Sequence, residues 1–335
     1  MFVIVKALLE RLYTGIPLDY DMATDLFIHI IHPDTHPYQV AAALSYYNTR
    51  LPELSEFSAF YDGMMLQALS MDTQGIPTID VCGTGGDGKD TFNISTLAAF
   101  VCAGAGVYVA KHGNYAVSSA CGSSDVLEYL GIRLSQNPDI LLRQLDQANI
   151  CILHAPLFHP AMKHVAPIRK AMGVKTLFNL LGPICNPAHN EFQCTGTFKP
   201  EVAYLYHQLF MEKKEGYTVF YDMAGYDEIS LQGNIILYSN GKQKTWLHLD
   251  FPFTVADAHD IAGGNSIADH AAIFMQVLNN QCTEAQRNVV VVNAAVAIHT
   301  YFPNLSFDDA MTMAMQSLIS GKAKESFMKM KNLQQ

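Results

Sequence analysis

Hydrophobic positions in the first seventy residues recur at intervals of three and four. Leu8, Leu9 and Leu12 share one helical face, and Asp19 stands where it would cap a helix carrying Leu26 and Ile30. His32-Pro33 stops that helix, because a residue before proline is steered away from helical dihedrals. Two further helices follow over 38–48 and 55–70, parted by Leu51-Pro52. Four helices joined by short breaks predict a small all-helical domain over residues 1–70.

After residue 70 the pattern changes. Short apolar runs at 77–82, 107–110, 149–153 and 217–221 read as buried strands, while 97–105 and a segment near Asp125 read as helices between them. Asp125 and Glu128 stand at capping-box spacing. Strands alternating with helices predict an α/β domain over 71–335 with a mostly parallel central sheet. Beyond residue 229 come shorter strands of alternating polarity, 235–238 and 245–249. Helices then run from about Ser266 to a frayed last segment, 322–335.

Composition narrows the function. The 335 residues are 50% hydrophobic and 16% charged, enough core for two domains and the opposite of a disordered composition. With 21 Lys+Arg against 31 Asp+Glu the net charge is -10, and no basic stripe offers itself to nucleic acid. The longest apolar stretch, 97–110, falls short of the ~20 residues that span a membrane, so no membrane partner is expected. The apolar start, residues 1–5, is shorter than a signal peptide's apolar region of ~7–15 residues. Seven scattered cysteines without a CxxC predict reduced thiols and a cytoplasmic location.

Two motifs carry candidate chemistry. The first is Asp80-Val81-Cys82-Gly83-Thr84-Gly85-Gly86-Asp87, followed by Thr91-Phe92-Asn93-Ile94-Ser95-Thr96. Its glycines allow close approach of backbone to a bulky anion, and Ser95 and Thr96 fall where the N–H groups of the next helix would face phosphate. It is neither a P-loop nor a dinucleotide fingerprint. The second motif leaves a strand as Lys111-His112-Gly113-Asn114-Tyr115, then Ser118-Ser119 and Gly122-Ser123-Ser124-Asp125. One cation among hydroxyls and glycines, beyond a strand's carboxyl end, suits a phosphate-rich ligand.

Together with His159-Pro160-Ala161-Met162-Lys163-His164-Val165-Ala166-Pro167-Ile168-Arg169, Thr176-Leu177-Phe178-Asn179-Leu180-Leu181-Gly182-Pro183 and Asp227-Glu228-Ile229-Ser230, these motifs are similar to those of the anthranilate phosphoribosyltransferases. The ordered match covers about residues 76–232. The resemblance implies transfer of a phosphoribosyl group from phosphoribosyl pyrophosphate to the amine of anthranilate, in tryptophan biosynthesis. Gly83, Gly86, Asp87, Thr91, Asn93, Ile94, Ser95 and Thr96 match the phosphoribosyl pyrophosphate loop. Lys111, His112, Gly113, Asn114, Ser118, Ser119 and Ser123 match the segment that covers the pyrophosphate and ribose. Asp227, Glu228 and Ser95 match the residues that hold Mg2+. Arg169, Asn114 and Gly83 match the anthranilate contacts, with His159 and His112 in supporting places and neither as general base. The resemblance further implies a homodimer, a crossing segment near 165–190 that returns to the helical domain, and an active site between the domains with Arg169 facing Gly83.

The sequence departs from the family at Tyr115, where arginine is usual, and over 223–226, where a more polar segment is usual. Two other readings share the pattern. A pyrimidine nucleoside phosphorylase would carry Lys-His-Ser where Val81-Cys82-Gly83 stand. A non-catalytic nucleic-acid-binding relative would need a basic groove, against a net charge of -10 and intact Arg169, Asn114 and Asp227-Glu228.

Overall fold

The structure, a computed structural model, describes residues 2–116, 120–247, 250–253 and 257–334, with residues 2–4 described by backbone alone. In chain order the first elements are α1 (Phe2–Tyr13), α2 (Tyr20–Ile31), α3 (Pro37–Tyr46), α4 (Leu54–Leu66), β1 (Ile79–Gly83), α5 (Ile94–Gly104) and β2 (Val109–Gly113). Next come α6 (Ser123–Tyr129), α7 (Pro138–Ala148), β3 (Ile150–His154), α8 (Ala155–Phe158), α9 (Met162–Met172), α10 (Leu177–Leu181), β4 (Phe192–Thr197) and α11 (Pro200–Lys213). The chain ends with β5 (Gly216–Asp222), β6 (Ile235–Ser239), β7 (Lys242–Trp246), α12 (Ile267–Leu278), α13 (Glu284–Tyr301), α14 (Phe307–Ile319) and α15 (Lys322–Asn332). It divides into two compact units, one of residues 1–70 with 156–187, the other of 71–155 with 188–335.

In the helical unit, Asp19 caps α2 by accepting from the Met22 N–H at 2.9 Å, and Leu12, Leu26, Phe27, Phe57 and Phe60 are buried together. Below them lies a fully buried carboxylate, Glu56. It takes a two-pronged bond from Arg50 (2.7 Å at each oxygen), the Tyr47 hydroxyl (2.9 Å), and the backbone N–H groups of Leu18 and Glu53.

Among the described residues the α/β unit is built on a seven-stranded sheet of order β3-β2-β1-β4-β5-β6-β7, parallel from β3 to β5 and antiparallel at β6 and β7. The chain winds outward from β1 to β3, then returns to the other side of β1 for β4 and β5. The carboxyl ends of β1 and β4 therefore flank the point where the winding reverses, the place at which open α/β sheets bind ligands. Gly83 pairs with Gly196 at that edge.

Four expectations are corrected. β4 was not anticipated: it is central, and Gln193 and Thr195, both buried, interrupt any apolar pattern, with Gln193 Nε2 donating to Thr195 Oγ1 at 2.7 Å. α6 starts at Ser123, so Asp125 is not its cap but its third residue, reaching back to the N–H groups of Gly122 and Ala116 (2.8 Å each). β7 spans Lys242–Trp246, not 245–249, because the hairpin turn falls at Asn240-Gly241, both with positive φ; residues 248 and 249 lie outside the described ones. The last helix is not frayed, since Ala323, Phe327 and Met330 are buried and Phe327 meets Phe100 at 5.4 Å between ring centres.

Candidate active site

The glycine-rich turn leaves β1 and is shaped by two requirements. Gly85 and Gly86 hold φ of 65° and 76°, where a side chain is strained. At Gly83 the requirement is space, because a Cβ there would run into the Asp227 carboxylate; Gly196 on β4 is pressed in the same way by the Asp227 carbonyl and the Phe220 ring. Two backbones thus close around one acidic residue.

Asp227 and Glu228 are not a solvated pair at a helix start. They lie in the segment between β5 and β6, only 5% and 9% exposed. Asp227 accepts from the Gly85 N–H, and Glu228 accepts from the Thr91 hydroxyl at 3.3 Å. The carboxylates of Asp87, Asp227 and Glu228 come within 4.8 Å of one another. Burial, then the Asp87 charge, pushes the Asp227 carboxyl up; burial, then the charges of Asp227 and Asp87, pushes Glu228 up as well, with the Thr91 hydroxyl and then Lys111 pulling the other way. Oδ2 of Asp87 and the hydroxyls of Thr84 and Thr96 are buried without a hydrogen-bond partner among the described residues. Each such group costs about 1–3 kcal/mol until something completes it. Gathered carboxylates with an uncompensated oxygen fit a hard divalent cation, and the neighbouring hydroxyls fit an oxygen-rich anion.

The other sequence-picked residues fall around this centre or on separate elements. Thr91 bridges Ala262, and Gly263 N–H bonds the Asp90 carbonyl, so a distant segment pins the end of the turn. Asn93 is the N-cap residue of α5 but its side chain makes no capping bond; its amide instead spans the Cys121 carbonyl and the His270 ring at 3.2 Å each. Ile94, fully buried, offers the site only its backbone. Ser95 lines a small pocket with Gly83, Gly196, Asp227, Glu228 and Asn293. Lys111, His112 and Gly113 are strand residues of β2 and not loop; Lys111 is 2% exposed and its ammonium donates to the Val81 carbonyl, beneath the turn. The His112 N–H bonds buried Asp80 at 3.1 Å. Asn114 is exposed, with its main chain fastened to Ser123 and Ser124. Ser118 and Ser119 lie outside the described residues.

Arg169 and His159 belong to the helical unit. Arg169, on α9, is half-buried, with its guanidinium 5.5 Å over the Phe178 ring and 3.2 Å from Asn179 Oδ1; no carboxylate among the described residues pairs with it. His159 is 4% exposed and its Nε2 lies 3.0 Å from the Cys185 carbonyl. A carbonyl only accepts, so Nε2 carries the proton, and burial holds the ring's pKa down to about 4. The sequence reading missed Gly196, Asp222, Ser230 and Asn293. A glycine inside a strand and an asparagine inside the apolar run of α13 were the available signals.

A buried acidic cluster at the switch point of a parallel sheet, under a glycine-rich turn, is suited to a divalent cation and an oxygen-rich anion. The chain matches the glycosyl transferase family, a/b domain, over residues 75–324. It is 45% identical to the anthranilate phosphoribosyltransferase of Flavobacterium psychrophilum over 98% of this chain and 99% of that one. To that of Cytophaga hutchinsonii it is 43% identical, over 97% and 99%. The crystal structure of anthranilate phosphoribosyltransferase from Thermus thermophilus superposes with a TM-score of 0.91 at 30% identity, covering 98% and 99% of the two chains. The Saccharomyces cerevisiae enzyme in complex with PRPP and Mg shares the fold, with a TM-score of 0.90 at 23% identity over 98% and 97%. The chain belongs to the anthranilate phosphoribosyltransferase family.

Proposed function

We propose that the chain transfers the 5-phosphoribosyl group of phosphoribosyl pyrophosphate to the amine of anthranilate, giving N-(5-phosphoribosyl)anthranilate and pyrophosphate for tryptophan biosynthesis. The observation that carries the reading is the convergence of Asp87, Asp227 and Glu228 beneath the Gly83–Asp87 turn, in a chain of this family.

The amine lone pair forms the bond to C1′ while the C1′–O bond breaks, pyrophosphate leaves with that electron pair, and the nitrogen's extra proton passes to solvent. No nucleophilic side chain is required, so the protein's work is placement and charge. The glycine-rich turn and the first N–H groups of α5 receive phosphate oxygens, joined by the hydroxyls of Thr84, Ser95 and Thr96. Asp87, Asp227 and Glu228, with Ser95, would hold Mg2+, which when bound neutralises charge on the departing pyrophosphate. Arg169, stacked on Phe178 and bonded to Asn179, would offer its remaining donors to the anthranilate carboxylate. His159 supports that region as a neutral, buried ring and takes no proton. Seven cysteines, none in a disulfide among the described residues, support a reducing, cytoplasmic setting, and exposed Tyr13, Ile16, Tyr20 and Tyr38 on the helical unit support a homodimer.

Mass spectrometry of a mixture of enzyme, anthranilate, phosphoribosyl pyrophosphate and Mg2+ tests the reading. Phosphoribosylanthranilate is the expected product. Pyrophosphate release without it would mean a different acceptor.

A further inference from the structure

The carboxylates of Asp227 and Glu228 sit on a segment with no regular secondary structure of its own, yet their site tolerates little displacement, because Gly83 and Gly196 close on Asp227. Besides the bonds from Gly85 and Thr91, the main chain after Glu228 is held by residues outside every motif the sequence singled out. Asn293, in the middle of α13 and 4% exposed, turns its side-chain amide onto the main chain of Ile229, the residue after Glu228. Its Oδ1 accepts from the Ile229 N–H at 3.0 Å, and its Nδ2 donates to the Ile229 carbonyl at 3.0 Å. A third bond, from Nδ2 to the Val289 carbonyl at 2.7 Å, anchors the amide to its own helix one turn back. The next residue is held independently. Asp222, fully buried at the end of β5, accepts from the Ser230 N–H and hydroxyl at 2.8 and 2.7 Å, and from the Ala224 N–H at 2.8 Å.

Resting on the proposed phosphoribosyl transfer, we infer that Asn293 is a positioning residue for that reaction: its amide pairs with Ile229 as a neighbouring strand would and sets where Asp227 and Glu228 present their oxygens. An apolar residue of similar size would fill the space but leave the Ile229 N–H and carbonyl buried and unpaired. The segment would then have to shift to satisfy them, and the carboxylates would move with it. Asn293 also borders the pocket lined by Ser95, Asp227 and Glu228, so its helix is joined to the metal-holding residues by one side chain.

The test is Mn2+ binding to the full-length protein with phosphoribosyl pyrophosphate present, read from the free Mn2+ signal in electron paramagnetic resonance. Removing a group that orients a metal ligand costs ~10–100-fold in affinity. Asn293→Leu is expected to weaken Mn2+ by that factor and to raise the half-saturating Mg2+ in turnover similarly. The KM for anthranilate at saturating Mg2+ should change by less than about twofold. Asn293→Ser covers the case in which the leucine variant fails to fold. A helical serine bonds the carbonyl four residues back, here that of Val289, and leaves Ile229 unclamped, so the same loss of Mn2+ affinity is expected. Wild-type Mn2+ affinity in either folded variant overturns the inference and leaves the proposed function standing. Turnover by the wild-type chain that ignores the metal would instead defeat the functional reading.

Discussion

Replacing Arg169 by alanine removes a guanidinium whose visible contacts are few, so its cost divides cleanly between folding and substrate binding. Within the protein it gives up one bond to Asn179 and a stack on Phe178. Asn179 Oδ1 stays satisfied by the Thr176 N–H at 2.8 Å, so the folding penalty is about 1 kcal/mol for the bond plus about 0.5–1 for the stack. If Arg169 holds the anthranilate carboxylate as proposed, the substrate loses charge-assisted hydrogen bonds in a half-buried place, about 1.5–3 kcal/mol. At about 1.4 kcal/mol per factor of ten, the KM for anthranilate rises roughly 10- to 150-fold. The KM for phosphoribosyl pyrophosphate changes less than about twofold. Arg169→Lys keeps the charge without the fork and falls between the two. Steady-state kinetics with each substrate varied in turn, beside a melting curve, reads all of this. Equal rises in both KM values, or a large loss of melting temperature with both unchanged, would refute the assignment.

Three further outcomes follow from the same geometry. Asp227→Asn with Glu228→Gln removes the charges that gather beneath the turn and should abolish metal-dependent turnover in a folded protein; retained Mg2+ activation counts against the metal assignment. His159 has its pKa lowered by burial from 6.5 to about 4, so the unfolded chain binds the proton that the folded one refuses. Stability is therefore lost as pH falls from about 6.5 through 4, by up to roughly 3 kcal/mol from this group, and His159→Gln should flatten a plot of melting temperature against pH over that window. Glu56→Ala strands the Arg50 guanidinium and should cost about 3–5 kcal/mol in denaturant unfolding while leaving the ratio of the two KM values unchanged.

Much of the fold is legible because its signals are local. The Leu8-Leu9-Leu12 spacing and the Asp19 cap mark α1 and α2, and short apolar runs mark β1, β2, β3 and β5. β4 is illegible because it is satisfied by its neighbours on both sides, and its Gln193, Thr195 and Gly196 read as loop residues until β1 and β5 are in place. The burial of Phe327 and Met330 depends on α5, hundreds of residues earlier, so α15 reads as a solvated tail in isolation. At the site the division is the same. The glycine-rich turn and the Asp227-Glu228 dipeptide are contiguous and can be read directly. Asp87 as the third carboxylate, Gly196 against Asp227, and Asn293 against Ile229 become meaningful only when separate stretches of chain meet. Lys111 shows the opposite failure, since its sequence context suggests an exposed phosphate-binding loop, and the strand buries it under the turn.

The most direct test of the account is the loss of anthranilate fluorescence on adding phosphoribosyl pyrophosphate, with pyrophosphate measured in parallel, in the presence of Mg2+ and again after EDTA. The account predicts a decrease matched one-to-one by pyrophosphate with Mg2+ and none after EDTA, restored when Mg2+ is returned. An unchanged signal from folded protein, or a decrease that EDTA does not stop, would contradict it.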